Sequence, residues 1–282
     1  MARILSLALG AMSALLAAAC SPARLLGAMQ PVAPGGEASD VAYLPGPRHT
    51  MDLYFPDGRA SAPPTVVFFY GGGWRSGDKA AYRFVGRSLA ACGAIVAIPD
   101  YRVWPDAGFD GFMADAAAAA ATARREGLRR GGDPRRFVLM GHSAGAHIAT
   151  MLALNPAWLA PDTRAAVSGV IGLAGPYDFL PLKDPVLEKI FAPVGPRTQP
   201  IAFAANATAP ILLATGAEDT TVRPANSIRL GEQVRAAGGL AETIVYQGIG
   251  HVQVAAALAA PVRFLAPVRA DICRFLGLAG AT

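Results

Sequence analysis

A chain of 282 residues, 53% hydrophobic and 16% charged, is too apolar for a disordered polymer and long enough to bury a sizeable core. Three cysteines make no disulfide scaffold, and no Cys/His cluster has the ligand spacing of a structural zinc site. The net charge of +5 is mild; its densest stretch, Arg124 to Arg136, closes an alanine-rich helix where cations suit the helix dipole, and without interleaved aromatics it argues against nucleic-acid binding.

Residues 1–20 read as a signal peptide of the lipoprotein type. Arg3 supplies a short positive start, Ile4 to Ala19 is an Ala/Leu-rich run too short to span a bilayer comfortably, and Ala17-Ala18-Ala19 precedes Cys20. A small-residue triplet before a cysteine resembles a bacterial lipobox. The expectation is therefore an exported protein, periplasmic or anchored to a membrane through a lipidated Cys20, with simple secretion or an uncleaved anchor as alternatives. Residues 21–44, rich in Pro, Gly and Ala without a sustained period, read as a linker, leaving 45–282 as a single catalytic-sized domain. Cys92 stands before a predicted strand and Cys273 in a C-terminal helix; buried free thiols are expected, with one bridge as the alternative.

From there the chain alternates. An extended piece, His49 to Phe55, is expected to open the sheet on an antiparallel edge. Strands are predicted at Val66–Tyr70, Ala94–Ile98, Phe137–Met140, Gly169–Ala174, Ile211–Thr215 and Thr243–Gln247, as short apolar runs without polar alternation. Helices are predicted near Tyr82–Ala91, Gly111–Glu126, Ala144–Leu154, Ala225–Ala237 and Pro261–Leu276. That order gives an α/β domain with a mostly parallel central sheet, helices on both faces and chemistry at the carboxyl ends of the strands. Gly175 to Ala209, where a lid could be inserted, is too short for a large one.

The polar residues at that edge define the chemistry. Gly141-His142-Ser143-Ala144-Gly145 sits between an apolar strand and a helix, the setting of a serine on a strained turn whose neighbours two residues away must be bare. In a chain with 31 glycines the pentapeptide alone is weak; its context carries it. A serine hydroxyl needs a base, and His251, between a strand and a helix in Gly248-Ile249-Gly250-His251, is the candidate. His142 and His147 are too near Ser143 in sequence, and His49 precedes the sheet. For the carboxylate that orients the base, Asp219 follows one strand, with Glu218 beside it and Asp178 after the preceding strand; the order Ser143, Asp219, His251 favours Asp219. Backbone N–H donors for a developing oxyanion are available at Ala144 and in Gly71-Gly72-Gly73.

Phe69 to Lys79, Pro99-Asp100-Tyr101-Arg102, the Ser143 turn, Pro176-Tyr177-Asp178 and the Asp219 and His251 loops together resemble the carboxylesterases of the α/β-hydrolase fold, near the hormone-sensitive-lipase and feruloyl-esterase-like branches. The resemblance implies Ser143 as nucleophile, His251 as base, Asp219 as orienting acid, and Gly72, Gly73 and Ala144 as the oxyanion hole. It implies a structural role for Asp100-Tyr101-Arg102, and no metal or organic cofactor. Where the family has a histidine before the glycine triplet this chain has Tyr70, expected to brace the loop from beneath, with an oxyanion-donor role as the alternative. Trp74 and Tyr177 are candidate walls of a substrate pocket, with core packing as the competing reading. The implied partner is a small, soluble ester with a short or aromatic acyl group. An aryl formamide, or a non-catalytic ligand-binding role, is the alternative.

Overall fold

The computed structural model describes residues 22–58 and 61–278; the signal segment and Cys20 lie outside the described residues. Its frame is an eight-stranded sheet in the order β1-β2-β4-β3-β5-β6-β7-β8. The strands are β1 (Glu37–Ala42), β2 (Thr50–Tyr54), β3 (Thr65–Phe69), β4 (Ile95–Pro99), β5 (Phe137–His142), β6 (Val167–Leu173), β7 (Ile211–Gly216) and β8 (Ala241–Tyr246). Pairing is antiparallel from β1 through β2 to β4 and parallel from there to β8. Every residue of β3, β4, β5 and β7 is buried, which is why these runs show no polar alternation: both faces are covered.

The major helices are α1 (Pro22–Met29), α2 (Arg83–Ala90), α3 (Phe109–Arg129), α4 (Ala144–Leu154), α5 (Pro161–Ala165), α6 (Pro185–Phe191), α7 (Ala225–Ala236), α8 (His251–Ala256) and α9 (Val268–Phe275). Parallel register sets the depth of the site. Phe69 lies opposite Gly141, so the ends of β3 and β5, and the loops that follow them, emerge side by side.

Four expectations change. The expected linker, residues 21–44, is not a tether: from Pro22 onward it includes α1 and the edge strand β1. Gly27 brings α1 against Arg83 and Ala80, and Arg87 ties the segment down, its guanidinium bonding the carbonyls of Gly27 and Gln30 and the carboxylate of Glu37. These contacts lie far away in sequence, so composition does not show them. For the same reason β2 is not the edge, since β1 covers it. The predicted C-terminal helix is split into a 3-10 stretch at Ala260–Leu265 and α9, because Pro267 has no N–H to carry a helix through. Finally, Cys92 and Cys273 are not free thiols but a disulfide closing a separation of 181 residues, with Cα atoms 6.2 Å apart; the docking of α9 near α2 brings them together.

Candidate active site

Ser143 stands between β5 and α4 with φ of 54° and ψ of −123°, a region that side chains avoid. Two glycines make that turn sterically possible. A Cβ on Gly141 would collide with the carbonyl of Gly145, and one on Gly145 with the carbonyl of Phe69 at the end of β3. Ser143 N–H is held by the carbonyl of Leu173 on β6 at 2.8 Å, and its own carbonyl accepts from Ala146 and His147 in the first turn of α4.

The hydroxyl meets an imidazole. Ser143 Oγ lies 2.9 Å from His251 Nε2, and His251 Nδ1 lies 2.7 Å from Asp219 Oδ2. A carboxylate only accepts, so Nδ1 carries the proton and Nε2 is left to accept from the serine. Asp219 is fully buried at its side chain, and its Oδ1 accepts the N–H groups of Thr221 at 2.9 Å and Val222 at 2.8 Å, which fix the carboxylate plane. Gly216 brings the two loops together: a side chain there would strike the carbonyl of Ile249, and Glu218 N–H bonds that carbonyl at 3.0 Å. Of the alternative acids, Asp178 is engaged elsewhere, pairing with Arg229 at 3.1 Å.

The glycine loop approaches from β3. A Cβ on Gly71 would sit 3.0 Å from Cβ of Ser143, tighter than an ordinary contact, so the loop backbone lies close beside the serine. Gly72 and Gly73 have φ of +143° and +60°, conformations suited to glycine. Among the described residues no backbone acceptor takes the N–H of Gly72, Gly73 or Ala144.

The Asp100-Tyr101-Arg102 stretch braces that loop. Tyr101 Oη donates to the carbonyl of Tyr70 at 2.7 Å, Asp100 accepts from Tyr70 Oη at 3.0 Å and from Lys79 N–H at 2.8 Å, and Arg102 forms a two-pronged pair with Asp115 on α3. Tyr70 is fully buried, its Oη also taking a bond from Arg48 at 2.8 Å. It supports the loop from below and its hydroxyl is committed, so it supplies no oxyanion donor.

Two residues beside the site carry a role the sequence did not disclose. His142 Nε2 lies 3.1 Å from the carbonyl of His251, an acceptor only, so Nε2 holds the ring proton and Nδ1 accepts from Tyr82 Oη at 3.1 Å. Tyr82 Oη in turn accepts from Gly71 N–H. Burial, with the neighbouring His251, pushes the His142 imidazole down to about 3, so the ring stays neutral and the relay keeps its direction. This relay joins the glycine loop to the backbone of the base. The pairing of Tyr82 with His142 spans 60 residues and has no local signature.

The expected pocket walls are corrected. Tyr177 is buried with its hydroxyl packed where side chains on Gly172 and Gly175 would fall, so it is core beneath the site. Trp74, only 4% exposed, belongs to a closed cluster: its ring is 4.7 Å from Phe191, 5.7 Å from Phe179, 5.1 Å from His147 and 6.5 Å from Phe112. His147, one turn beyond Ser143, donates through Nε2 to the carbonyl of Thr198 at 2.7 Å, and burial pushes it down to about 4. Among the described residues no group of His, Cys, Asp and Glu is arranged to hold a metal.

The BD-FAE family model matches residues 51–234. Isoprenylcysteine alpha-carbonyl methylesterase ICME of Arabidopsis thaliana is 30% identical over 243 residues, covering 76% of this chain and 56% of the plant protein. Kynurenine formamidase of Danio rerio is 28% identical over 143 residues, covering 51% of this chain and 47% of the fish protein. This chain thus spans about half the length of these relatives. The apo form of Thermogutta terrifontis esterase 2 superposes with a TM-score of 0.72 at 24% identity, over 89% of this chain and 98% of that one, and places the fold among the α/β-hydrolases.

Proposed function

The chain belongs to the BD-FAE family, and from that premise we propose that it is a serine hydrolase of carboxylic esters working through an acyl-enzyme on Ser143. The observation that carries the reading is the hydrogen-bonded line from Asp219 through His251 to Ser143, on a serine held at positive φ. In the first half-reaction Ser143 Oγ attacks the ester carbonyl while His251 Nε2 takes its proton; that proton then goes to the leaving alkoxide as the C–O bond breaks. In the second, water gives a proton to His251 and attacks the acyl carbon, and Ser143 Oγ departs with the proton. Asp219 holds the tautomer and the charge on the imidazolium. The N–H groups of Gly72, Gly73 and Ala144 receive the oxyanion, and losing one such donor typically costs about 3–4 kcal/mol in the transition state.

The ring cluster around Trp74 fills space beside the glycine loop, which favours short acyl groups on small esters over long chains. Aryl formamides are the second reading, favoured by the likeness to a kynurenine formamidase, because the same nucleophile and donors serve a formyl group. Residues 1–20 would export the protein and lipidated Cys20 would anchor it; a disulfide between Cys92 and Cys273 is in keeping with an oxidising compartment.

Hydrolysis of p-nitrophenyl esters from acetate to decanoate, beside an aryl formamide and the Ser143→Ala variant, tests the reading. Turnover highest on short esters and absent from the variant is the expected result. A folded protein that cleaves only the formamide would move the assignment to amides, and one that cleaves neither would remove the hydrolase reading.

A further inference from the structure

Large apolar side chains left in solvent are concentrated on one part of this molecule. Of the eleven among the described residues, six belong to three short stretches: Leu25, Met29 and Val32 on α1 and the turn after it, Val252 on α8, and Phe264 and Leu265 in the 3-10 stretch Ala260–Leu265. Phe264 is 83% exposed, and Leu25, Met29, Val32 and Val252 each exceed 50%. The stretches touch. Residues 260–265 pack against both α1 and α8, and Ala260 N–H bonds Gln30 Oε1 at 2.7 Å. Leu26 and Gly27 on α1, and Gln30 just after it, turn inward while Leu25 and Met29, four apart, share the outer side. Among the described residues nothing packs over that outer side.

We propose that this face rests on a lipid surface, with the catalytic entrance beside it. Three observations choose that occupant. The apolar run Ile4 to Ala19 ends three residues before α1 begins, so a lipid attached at Cys20 would hold α1 against the bilayer. The three stretches contain Arg24 and Arg263 and no acidic residue, a composition suited to anionic headgroups; Arg24 also pairs at 2.8 Å with Asp78, beyond the glycine loop. The mixture of outward Leu, Met, Val and Phe is that of a shallow interfacial contact rather than a span, and among the described residues no helix is long and apolar enough to cross a membrane. The consequence for function is position. α1 packs on Lys79–Tyr82, directly after the glycine loop, and α8 begins at His251, so the face adjoins the residues around Ser143 and esters partitioned into the interface reach them first.

The proposal rests on the anchor reading of residues 1–20, and the test separates the two. Full-length protein carrying Phe264→Trp is mixed with vesicles of phosphatidylethanolamine and phosphatidylglycerol doped with brominated phosphatidylcholine. Leu240→Trp, at the amino end of β8, is the control, and emission of the unsubstituted protein is subtracted. The new indole at position 264 is expected to shift blue and lose about half its emission, with the control unchanged. Mass spectrometry of the N-terminal peptide reads lipidation of Cys20 independently. Quenching without lipidation leaves the lipid-facing surface standing and removes the anchor. Lipidation without quenching does the reverse. An indole already shielded without vesicles and untouched by bromine would show that residues 1–21 cover the face. A dimer in sedimentation that Phe264→Glu dissolves, with no quenching, would assign the face to a second copy. Either result overturns the proposal.

Discussion

Ser143 is held in a conformation that costs on the order of 1–3 kcal/mol, and the structure around it shows what maintains it: two bare glycines, its N–H bond to the carbonyl of Leu173, and the start of α4. The glycines, the serine, His251 and Asp219 were legible in the sequence, because each stands where an apolar run stops and the chemistry restricts the residue type. The support was not. His142 reads as a mere neighbour of the nucleophile, yet it bonds the backbone of His251 and is itself oriented by Tyr82, which also caps Gly71 N–H. Tyr82→Phe keeps the ring packed against Phe68 and Tyr70 but strips one bond from each side of the relay. We expect kcat to fall roughly tenfold, about 1.4 kcal/mol, with KM nearly unchanged. Steady-state kinetics on a short ester check this, and an unchanged kcat would show that the relay does not position the base.

At the scale of elements, the strands were legible where they are buried on both faces, and the N-terminal segment was not, because α1 and β1 owe their order to Arg87 and to pairing with β2 rather than to local composition. Tyr177 and Trp74 show a similar blindness: an aromatic beside a motif loop has the same appearance in sequence whether it walls a pocket or fills the core. The closed cluster that Trp74 forms with Phe179 and Phe191 joins the glycine loop to the segment after β6. Trp74→Ala should open space beside the serine, raising the ratio of hexanoate to acetate turnover about tenfold while lowering stability by about 3–5 kcal/mol. An acyl profile that keeps its shape would separate the cluster from the acyl site. The disulfide binds α9 to the residues after α2 across 181 positions. Chain-entropy reasoning puts a loop of that length near the upper end of the usual range, so Cys92→Ser with Cys273→Ser is expected to lose about 3–5 kcal/mol in denaturant unfolding; equal midpoints for variant and parent would contradict it.

For the whole molecule, two imidazoles are buried neutral, and this makes stability depend on pH. His142 and His147 are pushed down to about 3 and about 4, chiefly by burial. The unfolded chain protonates both near its ordinary value of about 6.5 while the folded one does not, so their contribution is complete above that pH and is lost as the pH falls toward 4 and then 3. By pH 5 the loss is about 2 kcal/mol for each group. Urea midpoints at pH 7.5 and pH 5.0 bracket a window above the usual carboxylate range, so a flat profile there would mean that these rings are not held neutral. The sheet order, the depth of the site and the meeting of three distant loops at Ser143 all follow from one parallel frame. Labelling with a fluorophosphonate, followed by peptide mapping, reads the nucleophile itself: a single adduct is expected on Ser143, absent from Ser143→Ala and strongly slowed in His251→Ala. A folded protein that takes no label, or takes it on another residue, would contradict that role.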